Sequence, residues 1–149
     1  MAIENVVVIG AGTMGNGIAH TFAQFGYTVI LIDVSTESLH RGLSAIEQNL
    51  GRQVKKGIID ENVKADTLAR ITPSVNLEEA AVNADLIIEA ASENFDIKAK
   101  LFKIVDSICQ PHTIFASNTS SISVTSIAAV TSRPDRFIGM HFFNPVPLM

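Results

Sequence analysis

Gly10, Gly12 and Gly15 space the stretch IGAGTMGNG as G-x-G-x-x-G, and Asp33 closes the next apolar run, YTVILID. Those residue types at that spacing suit the chemistry of holding a dinucleotide. Gly10 permits a tight turn, Gly12 leaves the backbone bare for a diphosphate, and Gly15 lets a helix lie close on a strand. A helix opening at Thr13 and Met14 turns its free N–H groups and positive dipole end toward the phosphates. A carboxylate at Asp33 accepts hydrogen bonds from the adenosine ribose and repels a 2′-phosphate, and the nearest following arginine, Arg41, is set apart from it. The expected cofactor is therefore NAD rather than NADP. The competing reading makes Asp33 a cap for the following helix and the glycines turn punctuation.

The glycine pattern carries this meaning only between a strand and a helix, so the elements around it matter. Residues 2–10 are a continuous β-branched run, as in a strand buried on both faces. Met14, Ile18, Phe22 and Phe25 recur at helical spacing over 13–25, and 27–33 is a second buried strand. A long helix follows, capped by Ser35 or Thr36, with Leu39, Leu43, Ile46, Leu50 and Val54 on one face. Residues 55–68 turn and form a second helix, so the two make a hairpin. A short strand at 69–74 is cut by Pro73. Further strands are expected at 84–91, 112–118 and 136–143, with helices at 76–83, 95–109 and 121–130. The 95–109 helix is expected to face the core through Ile97, Leu101, Ile104 and Ile108. This alternation predicts an α/β fold of Rossmann type over residues 1–149: a doubly wound, mostly parallel sheet with a helical hairpin inserted after the second strand.

The 149 residues make a one-domain length, with 47% hydrophobic residues, 17% charged residues and a net charge of −4. The acidic balance argues against nucleic acid or an anionic membrane as partner. No run approaches the ~20 apolar residues of a membrane span, and the glycines interrupt anything resembling a signal peptide. The single cysteine, Cys109, has no disulfide partner and reads as a small buried hydrophobe in a reducing cytoplasm.

The second half supplies what the fold alone does not, because this fold serves many chemistries. EAASENFDIK (89–98), FASNTSSISVTSIA (115–128) and RPDRFIGMHFFNPVPLM (133–149), together with GAGTMGNGIA (10–19), closely resemble the NAD-binding half of the L-3-hydroxyacyl-CoA dehydrogenases, which include the bacterial 3-hydroxybutyryl-CoA dehydrogenases. SNTSS and HFFNPVP are specific to that family. The resemblance implies NAD-dependent oxidation of an L-3-hydroxyacyl-CoA to the 3-oxoacyl-CoA, or the reverse. It makes His141 the general base, a role that imidazole suits near neutral pH. Ser120 is implied to hydrogen-bond the C3 oxygen of the substrate beside the nicotinamide. Glu93 and Lys98 match positions that contact the nicotinamide-side ribose, and Asn144 matches a cofactor-binding asparagine. Asn49 and Lys56 match contacts to the nucleotide end of coenzyme A, and Lys55 and Arg52 add basic charge there. Each residue also has a plainer reading. His141 could be satisfied inside a strand, Lys98 solvated, and Glu93 a helix cap. Asn118 and the serines could be capping chemistry, Asn144 part of an Asn-Pro turn, and the basic residues a favourable helix C-terminus.

In the family a glutamate beyond the HFFNPVP motif orients the histidine, and a helical C-terminal domain closes the cleft and dimerises. Both fall past Met149. The expectation is a chain that binds NAD but turns over little or not at all, since loss of an orienting carboxylate alone can cost ~10⁴ in rate. Its partners are an acyl-CoA and the C-terminal domain, with a homodimer at full length. An exposed apolar face at FFNPVPLM is expected to favour self-association. The alternative is a stand-alone NAD-binding module without catalysis, which has no use for His141 and Ser120.

Overall fold

A computed structural model describes residues 2–149. Six parallel strands form one sheet in the order β3-β2-β1-β4-β5-β6. They are β1 (Asn5–Ile9), β2 (Thr28–Ile32), β3 (Ile71–Ser74), β4 (Leu86–Glu89), β5 (Ile114–Ser117) and β6 (Phe137–Gly139). The helices are α1 (Thr13–Gln24), α2 (Thr36–Lys55), α3 (Glu61–Ala69), α4 (Leu77–Ala81), α5 (Phe95–Ile108) and α6 (Val124–Ala128). The strand order reverses direction between β1 and β4, the switch point where sheets of this kind hold ligands.

Alternation along β1 divides the core in two. Val6 and Val8 point to the face covered by Ile18, Ala19 and Ala23 of α1 and by Leu39, Ile46 and Leu50 of α2. Val7 and Ile9 point to the other face, with Ala80 and Ala81 of α4, Phe102 and Val105 of α5, and Ile127 of α6. Side chains that switch sides at every residue need a cover on each face. The hairpin is present: α2 and α3 pack against each other and against α1. Pro73 sits inside β3, which lies at the sheet edge, where a missing N–H costs no ladder bond.

Two expectations need correction. The last strand does not run from 136 to 143 but stops at Gly139. Its sole neighbour β5 ends at Ser117, the partner of Gly139, so the ladder has nothing further to pair with. The inward face of α5 is also rotated. Lys98, Ala99, Phe102 and Val105 are buried, while Ile97 is 54% exposed and Ile104 is 37% exposed. Phe102 meets Phe137 edge-on at 4.7 Å and Phe115 at 5.6 Å, and this aromatic cluster sets the rotation of the helix.

Candidate functional site

The glycine turn joins the C-terminal end of β1 to α1, at the switch point. Gly10 has φ of +105°, and a Cβ there would lie 2.7 Å from the Ala90 carbonyl oxygen. A Cβ on Gly15 would stand 1.6 Å from the Gly10 oxygen, so any side chain would force α1 off the strand. A Cβ on Gly12 would meet nothing within 4 Å, so the space over the turn is open.

The helix that opens there differs from the others. α2, α3, α4, α5 and α6 are each capped by a side chain, from Ser35, Asp60, Asn76, Asn94 and Ser123 respectively. α1 has no side-chain cap and no acid in its first turn. Its N–H groups and dipole end therefore remain available to an anion, and a diphosphate fits that donor set. A groove of about 250 Å³ opens here, lined by Ala11, Gly12, Thr13, Asn16, Ser38, Arg41 and Gly42. Arg41, set apart in sequence, thus reaches the groove; its guanidinium is paired with Glu37 at 2.7 Å.

Asp33 follows β2. Its Oδ2 accepts from the Ala11 N–H and its Oδ1 from the Ser35 N–H, both at 3.0 Å. The carboxylate thereby joins the glycine turn to the loop before α2, while each oxygen keeps a lone pair for a ribose hydroxyl. The cap of α2 is Ser35, so the capping explanation of Asp33 does not hold.

A second cleft, of about 160 Å³, lies beside the turn and is lined by Met14, Ala90, Ala91, Ser92, Glu93, Lys98 and Asn118. The structure thus brings Met14 of α1 together with Glu93 and Lys98 at the start of α5. Glu93 is not the helix cap, which is Asn94; its Oε2 instead accepts from Thr119 Oγ1 at 3.0 Å and Ser121 Oγ at 2.9 Å. Nor is Lys98 solvated: it is 2% exposed and ion-paired with the equally buried Glu89.

His141 lies two residues past β6, exposed, so it is not an imidazole satisfied inside a strand. The backbone on either side of it is clamped to the end of β5. Met140 N–H donates to the Ser117 carbonyl at 2.9 Å, and Phe142 N–H donates to Asn118 Oδ1 at 2.8 Å. The His141 backbone is thereby held beside Ser117 and Asn118, in the segment that carries Ser120, and like the glycine turn it follows the C-terminal end of a strand. Its ring contacts Phe143 with centroids 4.9 Å apart. Among the described residues no carboxylate pairs with it. Ser120 is exposed and is not the cap of α6, which is Ser123. Asn144 is exposed beside a cis bond to Pro145. His141, Ser120 and Asn144 therefore stand outside the walls of the second cleft, on the two neighbouring segments.

Asn49 and Lys56 meet at a third groove of about 210 Å³, with Arg52, Gln53, Ile58, Pro145, Pro147 and Leu148. Arg52 donates to Asn49 Oδ1 at 2.7 Å. Lys55 does not line the groove. Sequence reasoning missed the positioning residues Asn118, Thr119 and Glu89. Each makes a contact with a residue 24 or more positions away in sequence, and no local pattern marks that contact. Among the described residues no group of three or more His, Cys, Asp or Glu could hold a metal ion, and no helix is long and apolar enough to cross a membrane.

Comparison with known proteins gives a consistent answer. The model for the 3-hydroxyacyl-CoA dehydrogenase NAD binding domain matches residues 5–149. A probable 3-hydroxybutyryl-CoA dehydrogenase of Bacillus subtilis (strain 168) is 50% identical over 149 residues, covering 100% of the chain and 52% of that protein. The mitochondrial hydroxyacyl-coenzyme A dehydrogenase of Sus scrofa is 46% identical over 153 residues, covering 99% of the chain and 48% of that protein. The crystal structure of (S)-3-hydroxybutyryl-CoA dehydrogenase from Ralstonia eutropha superposes with a TM-score of 0.95 at 49% identity, over 99% of the chain and 52% of that structure. The chain spans about half the length of these relatives.

Proposed function

Since the chain belongs to the family of 3-hydroxyacyl-CoA dehydrogenase NAD binding domains, we propose that it is the cofactor-binding half of an NAD-dependent L-3-hydroxyacyl-CoA dehydrogenase, acting on a short acyl thioester such as 3-hydroxybutyryl-CoA. The observation that carries the reading is the uncapped N-terminus of α1 over an open Gly12, with the Asp33 carboxylate beside it. NAD bound there supplies the hydride acceptor at its nicotinamide ring. The Gly12–Met14 backbone holds the diphosphate and Asp33 the adenosine ribose. Glu93 and Lys98 hold the second ribose in the neighbouring cleft, and Asn144 contacts the cofactor from the separate segment beyond His141.

The remaining roles belong to the substrate. His141 takes the proton from the C3 hydroxyl, and Ser120 hydrogen-bonds that oxygen as alcohol or ketone. The brace from Asn118 to the Phe142 amide keeps the His141 backbone in place. Asn49 and Lys56, with Arg52, receive the nucleotide end of coenzyme A in a groove that is both basic and apolar. Phe143, Leu148 and Met149 are exposed apolar side chains, and they suit a helical domain that covers the site and dimerises.

The test is oxidation of NADH by acetoacetyl-CoA. The chain combined with the C-terminal half of its relatives is expected to turn over, and the chain alone to turn over little. His141→Ala in the combined protein is expected to lose ~10²–10⁴ in kcat, the usual worth of a positioned base. Full activity of that variant overturns the assignment of the base.

A further inference from the structure

Glu89 ends β4 and is 1% exposed. Nothing in the proposed reaction uses it, yet its carboxylate accepts four hydrogen bonds. Oε1 accepts from Lys98 Nζ and from Ser117 Oγ, the latter at 2.8 Å. Oε2 accepts from the N–H groups of Ala91 at 2.8 Å and Ser92 at 3.2 Å. An ionised carboxylate offers about four lone-pair sites, so this one is filled.

A buried ion pair is a weak device for stability alone, because two apolar residues of similar volume often do as well. The donors point to a different use. Ala91, Ser92 and Lys98 are walls of the cleft that Met14, Glu93 and Asn118 complete. The Lys98 ammonium has three donors, of which Glu89 takes one, and the lysine borders the cleft. Removing Glu89 would leave that ammonium buried without its counter-charge, and a flexible four-carbon stem would have no fixed end. We propose that Glu89 is a positioning residue for the cofactor: it anchors the Lys98 ammonium and the 91–92 backbone in the wall of the cleft, so that Lys98 donates to the nicotinamide-side ribose. This rests on the reading of the cleft as part of the NAD site.

A double-mutant cycle in the 149-residue chain, read by NADH titration and by thermal unfolding, tests it. Glu89→Gln and Lys98→Met are each expected to weaken NADH binding by roughly tenfold or more, as for a lost hydrogen bond to a charged group. Each is also expected to unfold at a lower temperature than the wild type. In the double variant the glutamine oxygen can accept from Ala91 and Ser92, its NH₂ can donate to Ser117 Oγ, and methionine needs no partner. Its unfolding temperature is expected to recover above both single variants while its NADH affinity equals that of Lys98→Met. A role in stability alone would instead restore binding together with folding.

Wild-type affinity in Glu89→Gln overturns the inference, as does a double variant that binds like the wild type or whose loss multiplies the two single losses. If Glu89→Gln does not fold, the double variant against Lys98→Met decides: equal affinity supports the inference and a further loss overturns it. A wild-type chain that does not bind NADH overturns the cofactor reading, and this inference with it.

Discussion

The polar run SNTSSIS divides its side chains among separate tasks. Ser117 donates to Glu89, Asn118 braces the segment that carries His141, Thr119 donates to Glu93, and Ser123 caps α6. From sequence alone the run reads either as capping chemistry or as a substrate contact, and the structure shows capping at its end, by Ser123. Ser120 is left without a capping duty. His20 is a residue the sequence leaves undistinguished. It is fully buried, bonds Gln24 at 2.8 Å, and has an Nδ1 without a partner among the described residues. Burial holds its pKa below the usual imidazole value, against a smaller upward pull from Gln24. A base whose folded-state pKa is depressed takes up its proton more readily when unfolded. Its contribution is therefore complete above about pH 6.5 and lost as pH falls from there through the folded-state value. The thermal unfolding temperature is expected to drop between about pH 7 and pH 5 by more in the wild type than in His20→Leu. An identical pH slope in the two proteins contradicts this.

At the scale of elements, most of the order was legible because alternating β-branched runs and glycine punctuation are local signals. The orientation of α5 was not. Its sequence offers two candidate faces. The stripe through Ile97, Leu101, Ile104 and Ile108 is free of charge, whereas the face that is buried includes Lys98. Lysine is almost never buried unless paired, and its partner Glu89 lies in another element, so no local pattern identifies the correct face. Leu101 and Ile108 do pack at the margin of the core, which is why the two stripes compete. Phe102→Ala is expected to lower stability by about 3–5 kcal/mol through loss of a buried ring. Ile97→Ser is expected to stay within about 1 kcal/mol. Denaturant unfolding of both variants checks this, and the reverse order would restore the face expected from sequence. The end of β6 was equally illegible, because the limit is set by β5 running out of ladder at Ser117.

For the whole molecule, one edge of the sheet carries everything proposed to do chemistry. The glycine turn, Asp33, the cleft with Glu93 and Lys98, and the clamped His141 all follow the C-terminal ends of parallel strands. That placement could be anticipated from the strand order that βαβ alternation implies. The grooves themselves could not, because they depend on side chains meeting across the sheet, as when Arg41 joins Gly12. The central claim is that a diphosphate rests on the uncapped start of α1 while Asp33 holds the adjoining ribose. Titration of the chain with NADH and NADPH, followed by the emission of the dihydronicotinamide, tests it against a clean background, since the chain contains no tryptophan. The account predicts that NADH binds and NADPH binds at least roughly tenfold more weakly, with the gap narrowing in Asp33→Ala as the repelling carboxylate is removed. Failure of NADH to bind, or NADPH binding as tightly as NADH, would contradict it.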